Sequence, residues 1–323
     1  MTETPTHVAI GIDLGGTDIK SGLVTPHGTI VKSETIPTEA NKGVDHVITR
    51  IVGLIESHRQ CAVSESLHLD GVGVGSPGTL SHERGIVIAP PNLPNWRNVP
   101  IADHIEARIG LRPVLENDAN AAALAEFRCG AGRGCDSMVM LTLGTGIGSG
   151  IIVDSQLFRG SNENAGELGH TIVELDGRPC NCGQRGCLEA YASASGTAAR
   201  ARERIDAGEA SSLASIVAQG REIDATMVAD AARAGDALAQ SVWRETCRYL
   251  AIGCINIVRA FDPERIILSG GMSHAGDHLL RPVIAGFDAM ASDMLGNRPE
   301  IRIAELGNDA GLVGAALNAI RSD

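Results

Sequence analysis

The chain has 323 residues, with 27 Lys or Arg against 39 Asp or Glu, so its formal charge is -12. This acidic balance argues against nucleic acid or an anionic membrane as a general partner, because both need a basic surface. No apolar run approaches the ~20 residues of a membrane helix, and the polar start MTETPTH is unlike a signal peptide. Most of the cysteines are scattered, which suits a reducing compartment. We therefore expect a cytoplasmic protein.

The first half of the chain predicts strands joined by glycine-rich turns. Residues 8–24 (VAIGIDLGGTDIKSGLV) and 138–153 (MVMLTLGTGIGSGIIV) both alternate apolar positions around a glycine turn, as β-hairpins do. Two such hairpins about 130 residues apart predict a duplicated domain. Between them, residues 68–80 predict a buried strand and a turn, and residues 114–127 a strand followed by an Ala-rich helix.

The second half predicts mainly helices. Residues 189–260 have helical periodicity over several segments, residues 265–280 predict a strand, a Gly-Gly turn and a helix start, and residues 309–320 a last helix. Strands that alternate with helices indicate an α/β fold, and the length favours two domains over one.

The glycine turns are candidates for phosphate binding. Glycines let consecutive backbone N–H groups approach an anion, and a carboxylate beside them can hold a phosphate-bound Mg²⁺ through water. An ordinary hairpin turn explains one such loop equally well, but two of them are what a clamp on the phosphates of ATP requires. Neither matches a P-loop or a Rossmann turn. The candidate residues are Asp13, Gly15, Gly16 and Thr17 in the first loop and Gly144, Thr145, Gly146 and Gly148 in the second.

Asn117 and Asp118 fall between a predicted strand and the helix that starts near Ala119. Asp118 could be only a helix N-cap. A carboxylate at this position is also placed to act as a general base toward a substrate hydroxyl, because α/β clefts lie at the carboxyl ends of strands. Both roles are compatible.

Four metal-type ligands lie close together in GELGHTIVELDGRPCNCGQRGCLEA: His170, Cys180, Cys182 and Cys187. One imidazole and three thiolates complete a tetrahedral zinc shell without an open position, so a structural Zn²⁺ is expected and a zinc hydrolase is disfavoured. Glu167 and Glu189 flank the ligands, so the metal would hold these two carboxylates in place. The alternative is that Glu167 and Glu189 are ordinary solvated residues of the surface.

Asn92 stands in the loop NLPNW at residues 92–96, among turn-forming residues. Its amide could hydrogen-bond a sugar hydroxyl, although a purely structural loop is an equal alternative. With only 2 % aromatic residues, a sugar site here would depend on hydrogen bonds more than on stacked rings.

With these motifs in view, the chain resembles the ROK family of bacterial sugar kinases, within the actin and hexokinase-like ATPase superfamily. The resemblance runs almost end to end, through GIDLGGT, GVGSPG, NLPNW, ENDANAAALAE, LTLGTGIGSGI, GELGH, CNCGQRGCLEAYAS, ILSGG and DAGLVGAA. It implies two ribonuclease-H-like domains around a cleft. The expected domains are 1–117 with 306–323, and 118–305, the larger one with the zinc loop and a helical insertion.

The resemblance also implies roles for individual residues. Asp118 matches the catalytic base, and Gly270 and Gly271 match positions near the adenosine. His170 would ligate zinc with one ring nitrogen and face the sugar with the other. The positions that match sugar-binding residues are Asn117, Glu167, His170 and Glu189. Asp18 departs from the family, which often has a basic residue after G-G-T, and its charge could weaken nucleotide binding.

The activity expected from the resemblance is ATP-dependent phosphorylation of an aldohexose, with glucose favoured because the segment 92–96 is most similar to ROK glucokinases. Alternatives are an N-acetylmannosamine, N-acetylglucosamine, mannose or fructose kinase, or a non-catalytic sugar sensor. The expected cofactors are ATP, Mg²⁺ and structural Zn²⁺, and the expected assembly is a homodimer or homotetramer. Because the first strand begins by about His7, we expect no winged helix-turn-helix ahead of it.

Overall fold

The computed structural model describes residues 6–90, 92–163, 165–291, 296 and 298–320. The outermost residues of the predicted first domain, 1–5 and 321–323, lie outside this part. The strands are β1 (His7–Leu14), β2 (Asp18–Val24), β3 (Ile30–Pro37), β4 (His68–Ser76), β5 (Thr79–Ser81), β6 (Ile86–Ala89), β7 (Val114–Asn117), β8 (Met138–Leu143), β9 (Ile147–Val153), β10 (Gln156–Leu157), β11 (Arg265–Ser269) and β12 (Glu300–Ile303).

The helices include those predicted from the sequence and two more, the first two of the chain, in segments for which no element was predicted. They are α1 (Val44–Ser64), α2 (Ile101–Ile109), α3 (Asp118–Cys129), α4 (Glu189–Ala192), α5 (Ala194–Asp206), α6 (Ala214–Ala218), α7 (Ala225–Arg233), α8 (Ala237–Phe261), α9 (Asp277–Met290) and α10 (Ala310–Ala319). Short 3₁₀ turns span Ala40–Lys42, Leu168–His170, Gly271–Ala275 and Gly307–Asp309. No helix among the described residues is both long enough and apolar enough to cross a membrane.

Two sheets share one topology. Their strand orders are β3-β2-β1-β4-β7 and β10-β9-β8-β11-β12. Each contains an antiparallel hairpin, formed by β1 and β2 in one sheet and by β8 and β9 in the other. On its other side, the first strand of each hairpin pairs with a parallel strand, β4 or β11. The α/β class and the duplication expected from the two glycine hairpins are confirmed.

The chain divides into two compact units. Unit 1 comprises residues 1–134, 157–165 and 305–323, and unit 2 comprises residues 135–156 and 166–304. The domain limits predicted from the sequence, 1–117 with 306–323 and 118–305, stay a prediction.

In unit 1 the central sheet is covered by α1 and by α10. Strand β1 buries Val8, Ile10, Ile12 and Leu14 almost completely, and these alternating positions share one face of the sheet. On the other face, Gly11 lies against α10. Helix α10 lies so close to β4 that a Cβ on Gly73 would collide with the carbonyl oxygen of Ala315. Small residues on both elements therefore allow the helix backbone to contact the sheet directly.

In unit 2 the 25-residue helix α8 is central. Its buried side chains recur every three or four residues, from Leu238 to Val258, as one apolar face of a helix requires. This face packs with α5, α7 and α9 over the second sheet. The long Ala-rich segment of the sequence is thus a helical layer of the second unit.

Candidate functional site

The predicted site residues fall into two sets, one in each unit. Unit 1 holds the first glycine loop, Asn92 and the pair Asn117–Asp118, and unit 2 holds the second glycine loop, the glycine pair 270–271, the two flanking glutamates and the metal-type ligands.

The first glycine loop joins β1 to β2 and is tied to neighbouring backbone. The amide of Gly15 donates to the Asp18 carbonyl at 3.0 Å, and the Thr38 hydroxyl donates to the Gly15 carbonyl at 2.7 Å. Gly16 lies against Asn92, whose Cβ stands 2.7 Å from where a Gly16 Cβ would be. The structure therefore brings the first loop together with the NLPNW segment.

Asp13 lies at the carboxyl end of β1, beside the first turn of α10. A Cβ on Gly311 would approach the Asp13 carboxylate to 2.7 Å, so this carboxylate is packed against the N-terminal end of a helix, where a negative charge is stabilised. Burial raises the pKa of Asp13, and the positive charge of Lys20 opposes that rise. A carboxylate with a desolvation cost of this kind fits a site that receives a divalent cation.

Asn117, rather than Asp118, is the N-cap of α3. Its Oδ1 accepts hydrogen bonds from the amides of Ala119 and Asn120, at 2.9 and 3.1 Å. Asp118 is the first residue of the helix, and its Oδ1 accepts from the Ala119 amide at 2.9 Å. Because Asn117 performs the capping, the carboxylate of Asp118 is not required for it.

Glu116, two residues before Asp118, forms a buried ion pair with Arg159. Glu116 is only 1 % exposed, and its Oε2 accepts from Nε and Nη2 of Arg159 at 2.8 and 2.5 Å. Its Oε1 accepts from the Asn117 amide at 3.0 Å and from the Asn120 side chain at 3.1 Å. Glu116 thus fixes the backbone that carries Asp118. Sequence reasoning missed this pair because the two residues lie 43 positions apart and no local pattern links them.

The second glycine loop is fastened by Glu189. The Oε2 atom of Glu189 accepts from the Ile147 amide at 2.9 Å, and the Ala194 amide donates to the Gly144 carbonyl at 2.8 Å. A Cβ on Gly146 would collide with the Glu189 carboxylate, so glycine is required there for this approach. Gly148 already belongs to β9, where it pairs with Thr142. Glu189, predicted as a sugar-binding residue, therefore also contacts the second phosphate-loop candidate.

The four metal-type ligands converge in unit 2, with their donor atoms within 4.8 Å of one another. The Sγ atoms of Cys182 and Cys187 are 3.7 Å apart, and Cys180 Sγ is 3.6 Å from His170 Nδ1. Tetrahedral neighbours around zinc, with Zn–S ~2.3 Å and Zn–N ~2.0 Å, lie about 3.5–3.8 Å apart. The donor set and its spacing therefore fit a tetrahedral ion.

The two ring nitrogens of His170 face different groups. Nδ1 is on the cysteine side, whereas Nε2 lies 4.0 Å from a carboxylate oxygen of Glu167. Glu167 itself is 59 % exposed, and Glu189 Oε1 is 3.5 Å from Cys180 Sγ. The cluster thus has a carboxylate on each side: Glu167, which is exposed, and Glu189, which is turned toward the second glycine loop.

A cavity of about 320 Å³ opens in unit 2 between the second glycine loop and α7. Gly271 lines it, and Gly270 precedes it with φ 83° at a point where a Cβ would approach the Leu143 backbone to 2.6 Å. Its other polar lining residues carry no local signal in the sequence, because most of them have the ordinary spacing of a helix surface. These are Asp224, Thr226, Asp230, Arg233 and His274.

The sequence matches the ROK family profile over residues 9–322. It is 41 % identical over 308 residues to a glucokinase of Thermotoga maritima, which covers 95 % of each chain. It is 39 % identical over 306 residues to a glucokinase of Halalkalibacterium halodurans, covering 94 % of this chain and 92 % of that one.

A solved structure shares the fold. The ROK family glucokinase from Streptomyces griseus, in complex with glucose and AMPPNP, is 35 % identical and superimposes with a TM-score of 0.79, covering 96 % of this chain and 98 % of that chain. Because the family match spans residues 9–322 and the solved structure aligns over 96 % of this chain, this chain belongs to the ROK family.

Proposed function

We propose that this protein is an ATP-dependent glucokinase that transfers the γ-phosphoryl group of ATP to O6 of glucose. The observation that carries the proposal is the identity of 39–41 % to two glucokinases over nearly the full length. The position of Asp118, at the end of a parallel strand with its capping role taken by Asn117, supports it independently.

In the proposed reaction Asp118 accepts the proton of the sugar O6–H group. The O6 oxygen forms a bond to the γ-phosphorus as the bond from that phosphorus to the β,γ-bridging oxygen breaks, which gives glucose 6-phosphate and ADP. The amides of the two glycine loops would bind phosphate oxygens, and Asp13 would hold Mg²⁺. Mg²⁺, when bound, neutralises charge on the phosphates.

The sugar is held by hydrogen bonds from Asn92, Asn117, Glu167, His170 and Glu189. We place the adenosine in the cavity beside Gly270 and Gly271, because the same cavity is lined by Gly144 and Thr145 of the second glycine loop. A base in this cavity would therefore leave its phosphates at that loop.

The cysteine cluster is proposed to hold a structural Zn²⁺ that fixes His170 and Glu189. The acidic composition and the scattered cysteines support a cytoplasmic location, and the resemblance to ROK kinases supports a homodimer or homotetramer.

The test is ADP release with Mg-ATP and a panel of glucose, mannose, fructose, N-acetylmannosamine, N-acetylglucosamine and no sugar. The proposal expects the highest kcat/KM with glucose. A preference for an N-acetyl sugar or for fructose would retain the mechanism and replace the substrate. A folded, zinc-loaded protein that binds sugar but releases no ADP would instead be a sugar sensor.

A further inference from the structure

Two imidazoles and one carboxylate meet at the start of the first sheet. His7 begins β1 and His68 begins β4, and the two residues are direct partners in the parallel pairing. The glycine loop of unit 1 follows the opposite end of β1, about 25 Å away at the ~3.3 Å rise per residue of an extended strand. This cluster is therefore separate from the residues assigned to phosphoryl transfer in unit 1.

A bulge in β4 supplies the carboxylate. The register runs from Val8↔Leu69 to Ala9↔Gly71, which leaves Asp70 without a partner in β1. Bulges turn side chains away from the regular alternation of a strand. Here the result is that one oxygen of Asp70 lies near both imidazoles, in hydrogen-bond contact with His7 alone.

The three donor atoms lie within 4.8 Å of one another. Asp70 Oδ1 is 2.7 Å from Nδ1 of His7 and 3.6 Å from Nε2 of His68. The Asp70 side chain is 17 % exposed, against 48 % and 57 % for the two imidazoles, so an ion could enter from solvent while the carboxylate stays partly buried.

A hydrogen bond explains the short distance between His7 and Asp70. It does not explain the position of His68, because the 3.6 Å between His68 Nε2 and Asp70 Oδ1 is too long for a hydrogen bond. Donors bound to one ion at ~2.0–2.2 Å lie about 3.0–3.5 Å apart, and the two observed distances bracket this range. We propose that His7, His68 and Asp70 bind one divalent transition-metal ion of the Zn²⁺, Ni²⁺ and Cu²⁺ class, with water at the remaining positions.

The ligand types select this class of ion. Imidazole suits zinc, nickel and copper, whereas magnesium and calcium favour oxygen ligands. The site has no thiolate, so it binds more weakly than the cluster of His170 and three cysteines in unit 2. Occupancy would link the first residues of β1 and β4 and so hold the start of the chain on the sheet.

The test uses the untagged, zinc-loaded full chain with labelled histidine rings, titrated with Ni²⁺ and followed by NMR. Paramagnetic broadening should reach the signals of His7 and His68 at the lowest Ni²⁺ concentrations. The exposed His27, in the same unit but outside the cluster, is the internal control. His68→Ala should weaken Ni²⁺ binding at least about tenfold, whereas His27→Ala should not.

Simultaneous broadening of His27 and the pair, or unchanged affinity in His68→Ala, would overturn the proposal and leave a simple hydrogen bond between His7 and Asp70. His68 takes no part in the proposed catalysis, so turnover equal to that of the unaltered protein will show that the variant is folded. Should His68→Ala fail to fold, the order of broadening in the unaltered chain decides by itself.

Discussion

Arg159 donates two hydrogen bonds to a single oxygen of Glu116, and this ion pair lies immediately before the residues that cap and begin α3. The segment that carries Arg159 is held to unit 1 a second time, since the Glu163 carboxylate accepts from the amides of His82 and Glu83 at 2.9 and 3.1 Å. A stretch of chain from beyond β9 therefore braces the strand that leads to Asp118.

Replacement of Arg159 by Gln should destabilise unit 1 by about 2–3 kcal/mol. Loss of one partner from a buried pair leaves an uncompensated charge, which usually costs ~3–5 kcal/mol. The cost here is below that range because the Arg159 side chain is 27 % exposed. Urea unfolding, monitored by hydrogen exchange of the α3 amides, measures this change in the free energy of unfolding. Turnover should fall as well, because Glu116 positions the Asn117 backbone.

The matched control is Arg202→Gln, which breaks an exposed pair with Asp206 within one helix and should cost about 0.5 kcal/mol or less. In the double variant Glu116→Gln, Arg159→Gln, the loss should be smaller than the sum of the two single losses. Strict additivity would show that the pair contributes no coupling.

Asp118→Asn should lower kcat ~10²–10⁴-fold, the usual contribution of a general base, and leave zinc content and the fold intact. The fold is retained because Asn117 performs the capping. Asp45→Asn, a similar change in the first turn of α1, is the control and should keep full turnover. Near-normal activity of Asp118→Asn would refute the assignment.

Cys182→Ser should release the metal and raise the KM for sugar about tenfold or more, since even the outer partners of a metal site contribute ~10–100-fold. Because Glu189 contacts both Cys180 and the Ile147 amide, affinity for an ATP analogue without sugar should also fall. Metal analysis and nucleotide titration measure the two effects.

The same substitution at Cys61, a half-buried thiol in unit 1, should change neither metal content nor nucleotide affinity. Stoichiometric zinc in Cys182→Ser, together with an unchanged KM, would contradict the role given to the cluster.

The free energy of unfolding should decrease as the pH falls below about 6.5, the ordinary pKa of histidine. Burial lowers the pKa of His58, whose Nε2 lies 2.9 Å from the Ser21 hydroxyl and whose Nδ1 has no hydrogen-bond partner among the described residues. Below pH 6.5 the unfolded chain therefore binds a proton that the folded chain resists, and stability is lost until the pH reaches the folded pKa.

His58→Asn should have a flatter pH dependence between pH 7 and 5, as measured by urea unfolding at each pH. His278, whose pKa burial also lowers, should leave a residual slope. His27→Gln changes an exposed ring and should reproduce the slope of the unaltered protein; an equal slope in His58→Asn would remove His58 from this explanation.

Local patterns in the sequence predicted most of the strands and helices. The hairpins at β1–β2 and β8–β9 follow from alternation and glycine turns, and the zinc ligands follow from spacing within eighteen positions. The contacts that position the site are long-range. Nothing local in the sequence indicates that Arg159 would pair with Glu116, or that Glu189 would reach the Ile147 amide 42 positions away. Such contacts depend on how the sheets assemble.

The placement of α10 has a consequence for protein synthesis. Strands β1, β2 and β4 are synthesised well before α10, the helix at residues 310–319 that packs on one of their faces. The second unit has its whole sequence once residue 304 is made. Unit 1 therefore completes its core only after the whole sequence of unit 2 has been synthesised, in contrast to the usual order in which the more N-terminal domain folds first.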